Sequence, residues 1–188
     1  MPKTLSPAAD SLHNALNPAP QAVVVMGVSG SGKSTAGQRL AEQLSWQFIE
    51  GDTFHSPANH KKMHAGIPLT DDDRASWLDA LGAQLRLHAG PGVVLSCSAL
   101  KQRYRDRLRS CVPNLAFVWL DIGREAAATR VASRGALHFF PAALIDSQFQ
   151  ALEPPSNEPG MLRIDADLPL DEIIPTAVRW LAHRQLKT

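Results

Sequence analysis

Apolar runs alternate along this chain with stretches in which apolar positions return every three or four residues. Ala22-Val23-Val24-Val25-Met26, closed by Gly27, is apolar at every position, the pattern of a strand buried on both faces of a parallel sheet. Similar runs at Trp46 to Glu50, Gly92 to Ser96, Leu115 to Asp121 and Met161 to Ile164 predict four further strands. Between them Leu40, Ala41 and Leu44 share one helical face, and helical periodicity covers about 71 to 89, 101 to 110, 124 to 134, 141 to 151 and 169 to 185. Strands alternating with helices predict right-handed βαβ crossovers, hence a three-layer α/β domain around a five-stranded parallel sheet.

Two segments break the alternation. Gly135 to Pro141 separates two helical patterns without a strand, and reads as part of a lid spanning about 130 to 147. Glu153 to Gly160, rich in Pro, Ser and Asn, reads as a plain loop. Residues 1 to 20 hold Pro2, Pro7, Pro18 and Pro20 and no aromatic residue, so they are expected to form a mobile tail with at most a helical turn at Ser11 to Leu16. The rest, 21 to 188, is expected to be a single domain, in line with a length of 188 residues.

Composition narrows the function by exclusion. Nineteen Lys and Arg against eighteen Asp and Glu leave a net charge of +1, too little for a protein that lives on nucleic-acid phosphates or anionic membrane. No run approaches the ~20 apolar residues of a membrane span, and the start of the chain lacks the apolar segment of a signal peptide. Two cysteines, Cys97 and Cys111, form no disulfide framework and suit a reducing cytoplasm.

The strongest chemical signal is Gly27-Val28-Ser29-Gly30-Ser31-Gly32-Lys33-Ser34, which matches G-x-x-x-x-G-K-[ST] between a strand and an amphipathic helix. Glycines let backbone N–H groups turn inward around phosphates, and the helix that starts near Lys33 adds the positive end of its dipole. Lys33 is expected to reach the β- and γ-phosphates of ATP, and the Ser34 hydroxyl to ligate Mg²⁺. A phosphate loop alone leaves the destination of the phosphoryl group open.

On the acceptor side, Asp52 follows the second strand and His55 lies close behind it, so Asp52 faces the terminal phosphate from the same sheet edge and suits the role of base or metal-linked carboxylate. Thr70 caps a helix whose first turn carries Asp71, Asp72 and Asp73. Arg74 continues the inward stripe of Leu78, Leu81 and Leu85, where it either pairs with Asp71 or offers a guanidinium to an anionic substrate. Ser96, Ser98 and Lys101 follow the third strand at ligand height, whereas Tyr104, Arg105, Arg107 and Arg109 are read as a solvated helix face. His60 and His64 lack a third ligand for zinc. Arg130 and Arg134 project from one helix face beside the lid, placed to neutralise phosphate charge.

Together these residues resemble the gluconate kinase (gluconokinase) family of small phosphate-loop kinases, related in fold to shikimate and nucleoside-monophosphate kinases. The resemblance spans about Val23 to Leu181. It rests on the phosphate loop; on Gly51-Asp52 with His55, Asn59, Lys62 and Met63; and on Gly66, Pro68-Leu69, Asp71 to Arg74 and Trp77-Leu78. It continues through Cys97 to Lys101 with Tyr104-Arg105-Asp106, His138-Phe139-Phe140, Ser147-Gln148-Phe149 and Leu152-Glu153. It implies a phosphate-loop kinase fold and ATP-dependent phosphorylation of D-gluconate at the 6-hydroxyl. By the same resemblance Lys33, Asp52 and Arg134 act in catalysis, Gly27 to Thr35 and Arg130 bind nucleotide, with Arg130 stacking on adenine, and Ser34 and Asp52 hold the metal. Asp52, His55, Arg74, Lys101, His138 and Gln148 are implied at the substrate. Arg134 and His138 are four apart where the family pattern has three, which implies a lid one residue longer. A kinase for another small hydroxy acid or a nucleotide is the alternative, a non-catalytic nucleotide-binding module a more distant one, and a homodimer remains open.

Overall fold

A computed structural model describes residues 21–133 and 142–184. The expected tail with its helical turn, Arg134, and the lid segment Gly135 to Pro141 with His138 lie outside the described residues. The strands are β1 (Ala22–Met26), β2 (Gln47–Glu50), β3 (Val93–Ser96), β4 (Ala116–Asp121) and β5 (Met161–Asp165). The described helices are α1 (Lys33–Leu44), α2 (Pro57–His64), α3 (Asp71–His88), α4 (Gln102–Arg109), α5 (Arg124–Ser133), α6 (Ala142–Ala151) and α7 (Leu170–Arg184). Every strand falls within a residue of its predicted bounds, and α3, α4 and α7 do likewise. The unpredicted elements are a short 3₁₀ turn, Gly51–Phe54, and α2.

The five strands form one parallel sheet in the order β2-β3-β1-β4-β5. All five residues of β1 are buried, as a central strand requires. Val23 and Val25 join the core with Leu40 of α1 and Ala177 and Leu181 of α7. Val24 and Met26 point the other way, to Trp77, Leu81 and Leu85 of α3 and Leu108 of α4. In register, Ser96 pairs with both Val25 and Glu50. Three strands therefore end at one height, and the loops after β1, β2 and β3 emerge side by side. Among the described residues no helix is long and apolar enough to cross a membrane.

The expected solvated face of α4 needs correction. Tyr104 and Arg105 are buried, Arg105 completely, and only Arg107 has the exposed setting foreseen for the group. Leu108, one turn on, anchors in the core and takes this face of the helix with it. Every N–H of the Arg105 guanidinium has an acceptor. Nε and Nη2 donate to the Glu158 carboxylate (2.5 to 3.1 Å), Nη1 to the carbonyls of Ala99 and Leu100 (2.9 Å each), and Nη2 also to the Glu153 carbonyl (2.9 Å). The supposed plain loop at Glu153 to Gly160 thus closes a buried ion pair, to which Arg109 adds a bond of 2.7 Å. Removing one partner of such a pair strands the other charge. Arg105→Leu should therefore cost roughly 3–5 kcal/mol and lower the melting temperature by roughly 6–20 °C. Calorimetry checks this, and an unchanged melting point would show the pair to be dispensable.

Candidate active site

Glycines shape both sides of the site. Gly30, at φ 86°, packs so closely on α5 that a Cβ would lie 2.6 Å from the Ala127 carbonyl oxygen. Gly51, where β2 ends, lies against the Ser96 carbonyl, with no room for a Cβ between them. The phosphate loop closes on itself: Lys33 Nζ donates to the Val28 carbonyl at 3.1 Å, and Ser31 is buried with its hydroxyl unpartnered among the described residues. Gly32 caps α1 without a side chain and with open space where a Cβ would be, and no acidic residue stands in the first turn. The N–H groups and dipole of α1 are left for an anion. Ser34 and Thr35 are exposed at the same helix end.

Asp52 rides on the 3₁₀ turn, and that turn is pinned from below. Trp77 of α3, almost fully buried, donates its indole N–H to the Gly51 carbonyl at 2.8 Å, and its ring stacks on His55 with centroids 4.3 Å apart and planes 14° from parallel. His55 is buried and its Nδ1 has no hydrogen-bond partner among the described residues. Burial pushes the imidazole down to about 4, aided by the charges of Arg74 and His60 and opposed by Asp52. His55 is therefore neutral at neutral pH.

The same cleft brings Ser29 and Lys33 of the loop to Asp52, His55, Arg74 and Ser98. Leu144, Ser147 and Gln148 of α6 line it as well, together with Met63, Pro68 and Leu69. Of the two settings foreseen for Arg74, pairing with Asp71 is not the one found. Asp71 instead takes Lys101 (2.9 and 3.2 Å), Arg103 and the Tyr104 hydroxyl. The Tyr104 hydrogen bond foremost, then the bonds from Lys101 and Arg103, hold the Asp71 carboxyl well below the usual carboxylate range. Arg74 lies over the Tyr104 ring at 5.9 Å and makes no hydrogen bond or ion pair within the described residues, so its fork is left to the cleft. Lys101 has its ammonium on Asp71 rather than in the cleft.

The remaining expected residues are distributed around this centre. Arg130, one turn after Ala127, donates to the Ala166 carbonyl at 2.9 Å and pairs with Asp167 at 2.8 Å, on the flank of the phosphate loop away from the acceptor cleft. Gln148 reaches the loop itself, accepting from the Ser29 N–H at 2.6 Å. Sequence reading missed α2 and the pin of Trp77. Ser56, whose hydroxyl accepts from the Asn59 N–H, followed by Pro57 at the first helical position, is the signal that would have found α2. Asn59 and Lys62 tie α2 to Asp73 (2.7 Å each), and Asp73 also returns a bond to Thr70, which makes a capping box of the cap that the sequence foresaw. Cys97, between strand and cleft, is fully buried with its thiol pushed up to about 12, chiefly by burial.

A phosphate loop facing an acceptor cleft on a five-stranded parallel sheet defines a small phosphate-loop kinase. The family described as an AAA domain matches residues 23–155. The gluconokinase of Gluconobacter oxydans (strain 621H) is 43% identical over 162 residues, 85% of this chain and 90% of that protein. The thermosensitive gluconokinase of Escherichia coli (strain K12) is 45% identical over 77% of this chain and 79% of its own. The crystal structure of a gluconokinase from Sinorhizobium meliloti 1021 superposes with a TM-score of 0.81 at 46% identity, covering 88% of this chain and 94% of that one. The chain belongs to the gluconokinase family.

The setting of His55 gives a pH test of the site's packing. The folded imidazole titrates near 4 and the unfolded one near its ordinary 6.5, so between these values the unfolded chain binds more protons. His55 takes nothing from stability above pH 6.5, and an increasing amount as the pH falls towards 4. Denaturant melts at pH 7, 6 and 5, above the range where carboxylates titrate, should show a shallower loss of stability in His55→Gln than in the parent. Equal slopes would mean that His55 is solvated.

Proposed function

We propose that the protein is a gluconokinase that moves the terminal phosphoryl group of ATP to the 6-hydroxyl of D-gluconate. The observation that carries this reading is the cleft in which Lys33 and Ser29 of the phosphate loop meet Asp52, neutral His55 and an Arg74 that no carboxylate pairs among the described residues. In this reading Arg74 grips the substrate carboxylate through two parallel N–H bonds, which presents the far end of the sugar acid to the loop. Asp52 accepts the hydroxyl proton as the hydroxyl oxygen bonds to phosphorus and the bridge to the leaving ADP breaks. Lys33 leaves the Val28 carbonyl to compensate charge on the transferring group.

Among the described residues no cluster of three or more His, Cys, Asp or Glu side chains is preformed for a metal. The available donors, the exposed Ser34 hydroxyl and the Asp52 carboxylate, are hard oxygens few in number, which fits a Mg²⁺ that keeps several waters and arrives on phosphate oxygens. Ser34 and Asp52 would hold it there, and when bound it would neutralise phosphate charge.

Lys33→Ala should lower kcat by at least ~10² in a folded protein. Asp52→Asn should do so by more than ~10² while equilibrium ATP binding survives. A change confined to the KM of nucleotide in Asp52→Asn would make Asp52 a metal-holding residue rather than the base.

Gluconate should be preferred over glucose and sorbitol, since a neutral analogue leaves the Arg74 guanidinium without its partner, a cost of about 2–5 kcal/mol or ~30- to several-thousand-fold in kcat/KM. Arg74→Ala should erase that preference and spare ATP affinity. An ADP-release assay over a panel of sugar acids and polyols decides the matter, and glucose as good as gluconate in the parent enzyme would sink the carboxylate role.

A further inference from the structure

The phosphate loop already holds an oxygen that is not its own. The Ser29 N–H, at the third position of the motif, donates to Gln148 Oε1 at 2.6 Å, although 119 residues separate the two along the chain. Loop amides of this kind turn toward the space that nucleotide phosphates occupy. One amide hydrogen does not serve two oxygens at full strength. Gln148 lies on α6, where it lines the acceptor cleft with Leu144 and Ser147, the cleft that Arg74 and His55 also line.

We propose that Gln148 is a two-position ligand of the transfer site: its carboxamide oxygen occupies the Ser29 amide until a nucleotide phosphate displaces it, and the released carboxamide then bonds the hydroxyls of the acceptor. Gln148 is a positioning residue in this scheme, because it sets the relation between the two substrates and takes no proton and no charge. The chemistry of the side chain suits the exchange. A neutral carbonyl oxygen holds the amide yet yields to a phosphate oxygen, whose charge makes the stronger bond. Once free, the carboxamide has two donors and one acceptor to offer a polyol chain. Nucleotide and acceptor then each raise the affinity for the other by the same factor. The acceptor half rests on the kinase reading above, whereas the competition for the Ser29 amide does not.

The test is equilibrium binding of ATP to the full chain without acceptor, in the parent, Gln148→Ala and Gln148→Glu. Gln148→Ala removes the competitor and should tighten ATP by roughly two- to tenfold, the net worth of one hydrogen bond. Gln148→Glu sets a charged oxygen on the same amide beside the phosphates and should weaken ATP by more than about tenfold. With a non-transferable ATP analogue in place of ATP, adding gluconate should tighten the nucleotide in the parent and leave Gln148→Ala unmoved. Equal or weaker ATP binding in Gln148→Ala, or unchanged binding in Gln148→Glu, overturns the proposal. A parent that binds the analogue no better with gluconate, while the two variants shift in opposite directions, overturns only the acceptor half and the choice of gluconate.

Discussion

Ser96 pairs across the sheet with Val25 on one side and Glu50 on the other, and the site follows from that double pairing. It fixes the ends of β1 and β2 two strand spacings apart, roughly 10 Å, at equal height. A phosphoryl group in flight and the hydroxyl that receives it fit in that interval. A slip of one residue in either pairing would turn the whole strand over, since side chains alternate with a period of two. The close contact of Gly51 with the Ser96 carbonyl guards the register on the acceptor side.

Charge is then distributed so that some groups are spent and others spared. Asp71 absorbs Lys101, Arg103 and the Tyr104 hydroxyl, Glu158 absorbs Arg105 and Arg109, and Asp73 absorbs Lys62. Arg74 and Asp52 line the cleft with no side-chain hydrogen bond or ion pair within the described residues, so these are the groups whose pairing energy is kept for ligands. The neutral state of His55 belongs to the same economy, since a third charge beside Arg74 and Asp52 would find little water to solvate it.

The layers, the sheet and the phosphate loop were legible because each is written in a local pattern: unbroken apolar runs, helical periodicity and one spaced motif. Gly51-Asp52 was legible as the end of a strand. What stayed hidden depends on contacts between distant segments. Arg105 looks like any surface arginine until Glu158, 53 residues on, comes beneath it. That Asp71 takes Lys101 and leaves Arg74 beside the cleft depends on how two helices pack, which no local pattern displays. α2 was signalled only by a capping serine and a proline, and its short polar sequence shows no apolar stripe. The bond between Gln148 and Ser29 has no sequence signature, because an amide accepts from any N–H that packing brings to it.

The burial of Cys97 has a consequence for how such an enzyme ages. Burial holds the Cys97 thiol far above its ordinary range, so it stays protonated at neutral pH. Peroxides, alkylating agents and glutathione disulfide react with thiolates rather than thiols. The sulfur therefore sits beside the reaction without becoming its weak point. Catalysis at this cleft should outlast the oxidative episodes that silence enzymes built around an exposed cysteine.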